Sequence, residues 1–301
     1  MTPQPTNNQP VNPQRVYRQP VNQQPGNRQP INPQQVNRPP VNSQPVNNQP
    51  VNRQTITRQP TILIATSYRE DEDNPTGESF LRADYVRAVA RAGGVPILVP
   101  PMSGGQAWID LVTLGAGVLM VGGLDLDPSR YGQEKHPKTV VSPRLRQEAD
   151  LRLLGWAKRT HRPIMAICLG AQALNVFRGG TLVQHIPDRF GDAVQHQTEP
   201  GQPRPRHDVR IEPDSRLAEI MGATTMSVNS GHHQAFDVVG QLLRPVAWSA
   251  DGVVEAVEDV RRSRFTLGVQ WHPEELCNEP QHLALFEALV KAARIVHRNL
   301  R

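Results

Sequence analysis

The sequence predicts an α/β fold in which helices flank a mainly parallel sheet, with short antiparallel strands added and a disordered segment in front. Two observations in this chain of 301 residues carry the fold prediction. From Thr61 onward, short apolar runs alternate with helical patterns, which is typical of βαβ units and a sheet covered on both faces. Beyond Gly180 the apolar runs follow one another closely, which indicates added antiparallel strands. We therefore expect one folded domain over residues 61–301.

The first sixty residues have a different composition. They repeat a pentapeptide of the type Gln-Pro-Val-Asn-X and contain no Asp, Glu or His. Frequent proline removes backbone donors and fixes φ, so neither a helix nor a central strand is expected. One small apolar residue in five cannot offset the entropy lost on ordering. We predict a disordered tail with polyproline II character over residues 1–60, either inert or a binding segment for an unidentified partner.

Charge and cysteine content exclude several classes of protein. The net charge is +5, and the six arginines of residues 1–60 more than account for it. The rest of the chain is nearly neutral, so no nucleic-acid partner is expected. The two cysteines have no paired spacing, which favours a reducing, cytoplasmic location. We expect no membrane association, because the chain lacks both a signal-peptide pattern and a long apolar run.

The first half of the folded part alternates strand and helix. Residues 61–66 form a buried-strand pattern, and residues 78–92 form an amphipathic helical pattern that ends at Gly93-Gly94. Ser142-Pro143 is typical of a helix start, with serine as N-cap and proline at the first helical position. The other elements predicted here are strands over 95–99 and 117–121, a short helix over 105–115, and the continuation of the Ser142 helix to about residue 160.

The second half contains more strands. Six short runs predict strands over 181–186, 207–211, 225–229, 245–248, 253–257 and 265–270. Asp251-Gly252 is a favourable hairpin turn between two of them. Residues 188–206 are rich in Gln, Pro, Gly and Arg and are interpreted as a loop. The chain ends with a helical pattern over about 280–296.

One strand-turn-helix stretch carries a cysteine. An apolar run from Pro163 leads directly into Cys168, and a helical pattern follows over residues 171–177. A side chain at this turn lies at the carboxyl end of a sheet, where active sites of open α/β folds occur, and the helix N-terminus favours a thiolate. The alternative interpretation is a buried structural cysteine, since free cysteine is among the most buried residue types.

A second stretch supplies the partners that a cysteine nucleophile needs. The last apolar run ends in His272, and Glu274 follows two residues later. In an extended segment both side chains point to the same side, so Glu274 can hold one ring nitrogen and leave the other for Cys168. Alone, the pair could be a strand-end histidine beside a surface glutamate. Together with the cysteine turn, it favours a catalytic triad.

These stretches resemble a known family. Ala166-Ile-Cys-Leu-Gly170 and Gln270-Trp-His-Pro-Glu274 are similar to the paired signature of class I glutamine amidotransferase-like hydrolases. Further motifs resemble the γ-glutamyl-γ-aminobutyrate hydrolase branch, which is of the peptidase C26 type. They are Gly122-Gly-Leu-Asp-Leu-Asp-Pro128, Val228-Asn-Ser-Gly-His-His-Gln234 and Asp251-Gly-Val-Val-Glu255. The resemblance implies the flavodoxin-like fold of class I glutamine amidotransferases.

The resemblance also implies roles for individual residues. Cys168 would be the nucleophile, His272 the general base and acid, and Glu274 the group that holds the imidazole. The oxyanion hole would use the backbone amides of Gly123 and Leu169, although a glycine pair after a strand is also an ordinary turn. The substrate contacts implied are Gln172, His232 and His233. Gln172 could instead be a helix surface or cap residue. One of the two histidines is expected to be structural, and no third ligand is suitably spaced for a metal site. We expect no cofactor.

The function predicted is that of a cysteine hydrolase which cleaves the γ-glutamyl amide bond of a small γ-glutamylated amine or amino acid. One alternative is a glutaminase subunit that supplies ammonia to a separate synthase. The other is a catalytically vestigial scaffold that acts through its tail. Ala166 stands where the family usually has glycine, and Leu169 stands where this branch often has arginine. The identity of the leaving amine therefore stays open. The sequence also leaves the oligomeric state open, a homo-oligomer included.

Overall fold

The computed structural model describes residues 59–71, 74–198 and 201–299. The predicted tail over residues 1–60 lies outside these residues except for its last two positions, so the predicted division into tail and domain stays a prediction. Within the described ranges, no helix combines the length and the apolarity needed to cross a bilayer.

The folded region contains thirteen strands and seven helices among the described residues. The strands are β1 (Thr61–Ala65), β2 (Ser67–Asp71), β3 (Asn74–Phe80), β4 (Val95–Val99), β5 (Gly117–Met120), β6 (Ile164–Ile167), β7 (Leu182–Val183), β8 (Arg206–Ile211), β9 (Thr225–Asn229), β10 (Ala235–Phe236), β11 (Leu243–Ser249), β12 (Val254–Asp259) and β13 (Thr266–Val269). The helices are α1 (Ala83–Arg91), α2 (Gln106–Thr113), α3 (Arg144–Arg159), α4 (Leu169–Phe177), α5 (Ile186–Phe190), α6 (Arg216–Met221) and α7 (Pro280–Asn299).

The central sheet has a parallel half and an antiparallel half. Nine strands of the described chain form it, in the order β4-β1-β5-β6-β13-β12-β11-β8-β9. From β4 to β13 the neighbouring strands are parallel, and from β13 to β9 they are antiparallel. The hairpin turn predicted at Asp251-Gly252 joins β11 to β12, and Gly252 adopts φ 89° there. This arrangement confirms the predicted α/β class.

The core has two layers because the central strands are buried on both faces. Along β6, Ile164 and Ala166 pack into one layer with α2, α3 and α4. Met165 and Ile167 point the opposite way and pack with α1, α6 and α7. All four side chains are at most 2% exposed, as the alternation of side chains in a strand requires when helices cover both faces. The helices therefore hold the strand that leads into Cys168 from both sides.

Several predicted boundaries are wrong. The helix predicted over residues 78–92 begins at Ala83, because the preceding residues pair as a β2–β3 hairpin in which Arg69 lies opposite Glu78. These two residues also form a cross-strand ion pair. The helix expected from Pro143 begins at Arg144, with Pro143 at the N-cap position. In the first of these cases, the antiparallel pairing of β2 with β3 prevents the helix from starting at residue 78.

The region after Gly180 also differs from the prediction. Only Leu182–Val183 of the strand expected over 181–186 pairs as a strand, and α5 begins at Ile186, because Pro187 in its first turn favours a helix start. Helix α6 was not predicted. The hydroxyl of Ser215 caps it by accepting a hydrogen bond from the Ala218 amide at 2.9 Å, a start signal that is present in the sequence.

Candidate active site

The carboxyl ends of three neighbouring parallel strands meet at one place. Strand β6 lies between β5 and β13 in the sheet. Gly122-Gly123 follows β5, Cys168 follows β6, and His272 lies three residues beyond the end of β13. Residues that are 46 to 150 positions apart in the sequence therefore share one edge of the sheet, which is where open α/β folds place their ligands.

Cys168 occupies a strained turn between β6 and α4. Its backbone has φ 51° and ψ −114°, a region that residues other than glycine rarely adopt and that costs about 1–3 kcal/mol. The turn is held because the Cys168 amide donates to the carbonyl of Val269 at 2.8 Å. It is tight because Gly170 packs on β5, where a Cβ atom would lie 2.7 Å from the carbonyl carbon of Met120. The thiol is consequently fixed at the N-terminus of α4.

His272 is buried between Glu274 and the cysteine turn. Its Nδ1 lies 2.7 Å from Oε1 of Glu274. Its Cε1 and the Cβ of Cys168 lie 3.0 and 3.7 Å from the position that a Cβ atom on Gly122 would take. The backbone amide of His272 donates to the side-chain oxygen of Asn229 at 3.0 Å. The expected extended geometry is wrong, because Pro273–Leu276 forms a 3-10 turn. This turn brings Glu274 back against the ring.

The electrostatic environment favours a protonated imidazole. Burial on its own would lower the pKa of His272, but the neighbouring Glu274 and Cys168 outweigh it and raise the pKa to about 10. At neutral pH the ring is therefore an imidazolium that carries a proton on each nitrogen. Such a ring can donate to Glu274 on one side and stabilise a thiolate on the other.

Tyr85 on α1 completes the support of Glu274. Its hydroxyl accepts a hydrogen bond from the Gly122 amide at 3.2 Å and lies beside the Glu274 carboxylate. Burial and the charge of Glu274 raise the pKa of Tyr85 well above its usual value, so the hydroxyl keeps its proton. The sequence analysis missed this residue, because a tyrosine on the apolar face of a helix gives no signal of a distant contact.

Gly123 and Leu169, the predicted oxyanion donors, lie side by side. A Cβ atom on Gly123 would lie 2.8 Å from the Cδ2 of Leu169. Leu169 is the first residue of α4, so its amide has no acceptor within the helix. The Gly122 amide is already bound to Tyr85, whereas Gly123 is exposed at the site. The two residues are therefore neighbours in space, and Leu169 directly follows Cys168 in the sequence.

A buried ion pair on α3 supports the glycine turn. The Arg146 Nε lies 2.7 Å from Asp150, and each side chain is only 3% exposed. A second guanidinium nitrogen of Arg146 donates to the carbonyl of Val121 at 3.3 Å, immediately before Gly122-Gly123. Sequence analysis did not single out Arg146, whose spacing to Asp150 looks like that of any surface helix pair. The buried guanidinium of Arg146 holds the backbone that leads into Gly123.

Comparisons with known proteins identify the family of the chain. The sequence model of the peptidase C26 family matches residues 60–274. The chain belongs to the peptidase C26 family. A Mycobacterium tuberculosis protein classed by name among the glutamine amidotransferases is 41% identical over 222 residues, which are 73% of this chain and 69% of that protein. The Escherichia coli K12 γ-glutamyl-γ-aminobutyrate hydrolase is 31% identical over 223 residues, which are 71% of this chain and 86% of the hydrolase.

This peptidase C26 chain also resembles solved structures in its fold. A Thermoplasma acidophilum protein classed by name with the subunits of GMP synthase superposes with a TM-score of 0.52 at 14% identity. The match covers 80% of this chain and 97% of that protein. It supports the predicted class I glutamine amidotransferase fold, and at this identity it carries no statement about function.

The predicted substrate contacts of the C26 chain have different surroundings. Gln172 is buried, and its amide nitrogen donates to the backbone carbonyl of Gln234 at 3.2 Å. The ring of His233 is partly exposed and lies 3.0 Å from Asp125, in the loop that follows the glycine turn. His232 is buried in a separate group of side chains around Glu255.

Cys277, the second cysteine of the C26 chain, lies behind the site. Its thiol is buried and donates to the carbonyl of Pro273 at 3.4 Å. Burial raises the pKa of Cys277 to about 11, so the sulfur remains a thiol at neutral pH. It supplies a matched control for experiments on Cys168.

Proposed function

We propose that the chain is a cysteine hydrolase that cleaves the γ-glutamyl amide bond of a small γ-glutamylated amine or amino acid. The observation that supports this most directly is the pairing of a cysteine on a strained turn with a buried His272 held by Glu274. In this proposal Cys168 is the nucleophile, His272 is the general acid and base, and Glu274 orients the imidazole.

The first half of the reaction forms a thioester. The Cys168 thiolate attacks the γ-carbonyl carbon, and a tetrahedral anion forms. The amides of Gly123 and Leu169 donate to this anion, as the proximity of Gly123 to the Leu169 side chain suggests. As the C–N bond breaks, His272 transfers the proton on its Cys168-facing nitrogen to the departing amine. The glutamyl group then remains on sulfur, and the imidazole is neutral.

The second half consumes water. The neutral His272 accepts a proton from a water molecule, whose oxygen attacks the thioester carbonyl. The same two amides stabilise the second tetrahedral anion, and the C–S bond breaks to release glutamate. The thiolate and the imidazolium are regenerated together. Throughout the cycle, Glu274 and the Tyr85 hydroxyl keep the ring oriented, as their contacts suggest.

The substrate contacts belong to the same proposal. His233 lies 3.0 Å from Asp125 in the loop after the glycine turn, and we expect a glutamyl group bound to Cys168 to extend toward this pair. Gln172 follows the nucleophile by one helical turn on α4 and is proposed to support the glutamyl group together with the Gln234 carbonyl. His232 is engaged by Glu255 and Gln234, so we assign it a structural role. Cytoplasmic location and a partner for residues 1–60 stay predictions.

A glutaminase subunit is the second candidate. It is favoured by the relative at 41% identity that is classed by name among glutamine amidotransferases. It would use the same thioester chemistry with glutamine as the substrate and ammonia as the product. A glutaminase of this kind would show low activity that rises when its synthase partner is added, whereas a stand-alone hydrolase would not need one.

The experiment that tests the proposal is a panel of γ-glutamyl amides, glutamine included, with amine release as the readout. The wild type is expected to release at least one small amine without any added partner. Cys168→Ala should lose activity by a factor on the order of 10⁴–10⁶, whereas Cys277→Ala should keep it. Release from glutamine alone would favour the glutaminase. No release from any member of the panel would contradict the stand-alone hydrolase.

A further inference from the structure

Four buried side chains meet on the antiparallel half of the sheet, outside the proposed catalytic triad. They come from the segment before β8, from β8, from the segment after β9, and from β12. They are His196, His207, His232 and Glu255, and we call them the histidine–glutamate cluster. Their side chains are 3%, 8%, 1% and 0% exposed. The cluster is therefore closed to solvent.

One nitrogen of each ring points at a single carboxylate oxygen. The distances to Oε1 of Glu255 are 3.2 Å from His196 Nδ1, 3.5 Å from His207 Nε2 and 3.5 Å from His232 Nε2. These four atoms all lie within 4.8 Å of one another. None of the four has a hydrogen-bond partner among the described residues. A buried carboxylate that accepts no hydrogen bond is costly, so a positive charge at the centre of this cluster would stabilise it.

The outward nitrogen of each ring faces an acceptor. That of His196 lies 2.9 Å from the carboxylate of Asp251. Those of His232 and His207 lie 2.9 and 3.4 Å from backbone carbonyl oxygens. A neutral imidazole that donates outward presents its lone pair inward. Three lone pairs and one carboxylate oxygen thus converge, and outer acceptors fix the tautomers as they do for metal-bound histidines.

We propose that the histidine–glutamate cluster binds a zinc ion. A tetrahedral zinc ion with bonds of about 2.0–2.1 Å sets its ligand atoms about 3.3–3.4 Å apart. The three oxygen–nitrogen distances, 3.2, 3.5 and 3.5 Å, match this spacing. The charges also balance, because the two positive charges of zinc offset the carboxylates of Glu255 and Asp251 while all three rings stay neutral.

The donor set distinguishes zinc from calcium and magnesium. Calcium and magnesium prefer sites made of oxygen atoms, whereas three imidazole nitrogens and one carboxylate oxygen suit zinc. A catalytic zinc keeps an open position for water or substrate. Here all four positions are taken by side chains that are at most 8% exposed. The site is therefore structural.

The bound ion would hold the segments that support the proposed active site. His232 lies three residues after Asn229, which accepts a hydrogen bond from the His272 amide. The backbone carbonyl of Glu255 accepts from the amide of Gln270, two residues before His272, at 2.8 Å. A metal that joins His232 to Glu255 would therefore connect the two segments that hold His272 in place. This consequence rests on the proposed function, whereas the metal site itself does not.

Metal content tests the proposal without any activity assay. The full chain is purified with Cys168→Ala, so that the triad thiol cannot bind the metal, and exchangeable ions are removed with a weak chelator. Mass spectrometry of the metals is expected to give about one zinc per chain. After removal with a strong chelator, Co²⁺ should restore the strong visible absorption of a tetrahedral site without a thiolate band.

Variants locate the ion. In the same background, Glu255→Gln and His207→Gln should lower the bound zinc at least about tenfold. Asp251→Asn, which changes only an outer acceptor, should retain the site with about 10–100-fold weaker affinity. His282→Gln is the matched control, since His282 is fully buried on α7 and outside the cluster. It should keep the full zinc content.

Three results would overturn the proposal. One is a folded chain that contains no zinc and gives no tetrahedral cobalt spectrum. Another is full zinc content in Glu255→Gln or His207→Gln, with the fold checked by circular dichroism. The last is a thiolate band in the cobalt spectrum. If Glu255→Gln does not fold, His207→Gln decides, since His207 is the most exposed of the four side chains. If both fail to fold, the metal content and the cobalt spectrum decide.

Discussion

The side chains of His272 and Glu274 are in contact because the backbone between them turns. The ring Nδ1 lies 2.7 Å from the carboxylate, and Pro273 between them starts the 3-10 turn that folds Glu274 back. The carboxylate side chain is fully buried, so its charge acts on the ring with little screening by solvent. Both the orientation and the protonation of the imidazole therefore depend on this contact.

Replacing the carboxylate should disable the histidine. Glu274→Gln keeps the shape but removes the charge, so kcat is expected to fall on the order of 10²–10⁴-fold with a smaller change in KM. Steady-state kinetics on the γ-glutamyl substrate checks this. Glu279→Gln is the control, because Glu279 pairs with Arg206 at the surface. Equal activities of the two variants would remove Glu274 from the mechanism.

The hydroxyl of Tyr85 should matter for both stability and rate. Tyr85→Phe leaves the buried Gly122 amide without its acceptor, which costs about 1–3 kcal/mol of the free energy of unfolding. It also removes a neighbour of Glu274, so kcat should fall as well. Tyr131→Phe is a matched control, since the buried Tyr131 hydroxyl has no hydrogen-bond partner in the described chain. Equal free energies of unfolding for the two variants, measured by chemical denaturation, would contradict this prediction.

The pH dependence follows from the raised pKa of His272. In the folded chain this pKa is about 10, against an ordinary value of 6.5. The stabilisation by the imidazolium is therefore complete below pH 6.5 and is lost as the pH rises toward 10. The rate of amine release should fall over the last part of this range, as the general acid loses its proton. Glu274→Gln should move this alkaline limb to lower pH.

Measured pH–rate profiles decide this point, with circular dichroism at each pH to exclude unfolding. If the rate of the wild type already falls near the ordinary pKa of histidine, Glu274 and Cys168 do not stabilise the imidazolium. An unchanged limb in Glu274→Gln would assign the titration to another group.

Two ion pairs with the same spacing on α3 should differ strongly in their effect. Arg146–Asp150 is buried, whereas Arg144–Glu148 is exposed. Arg146→Met leaves a buried carboxylate unpaired and should cost about 3–5 kcal/mol of the free energy of unfolding. It should also lower kcat, because the guanidinium holds the backbone before Gly123. Arg144→Met should leave both stability and rate nearly unchanged.

A second substitution separates the charge from the packing around Arg146. Burial raises the pKa of Asp150 even with Arg146 beside it. Adding Asp150→Leu to Arg146→Met removes the unpaired group, so the double variant should regain part of the stability. Denaturant unfolding of the wild type, the two single variants and the double variant gives the coupling free energy between Arg146 and Asp150. Additive losses would show that the pair is not coupled.

The sequence predicted the strands that lead into the site because their apolar runs are short, continuous and bounded by glycine or proline. β1, β4, β5 and β6 lie within two residues of their predicted bounds. Cys168, His272 and Glu274 were found for a related reason. Each follows such a run, and the parallel pairing of β5, β6 and β13 then brings the strand ends together.

The remaining parts of the site could not be predicted because they depend on contacts between distant segments. Tyr85 reaches Gly122 from α1, and Asn229 reaches His272 from β9. The histidine–glutamate cluster is the clearest example. No metal site was expected, because the ligands are not closely spaced in the sequence. Here four segments each contribute one side chain. Only the packing of β8, β12 and the neighbouring segments shows that they converge.

In the proposed mechanism Cys168 carries the glutamyl group during turnover. Rapid acid quenching of the wild type with excess γ-glutamyl substrate, followed by mass spectrometry of the intact chain and its peptides, detects such an intermediate. We expect a glutamyl thioester on the peptide that contains Cys168, its persistence in Cys277→Ala and its loss in Cys168→Ala. Amine release by Cys168→Ala at the wild-type rate, or an adduct located on another residue, would contradict it.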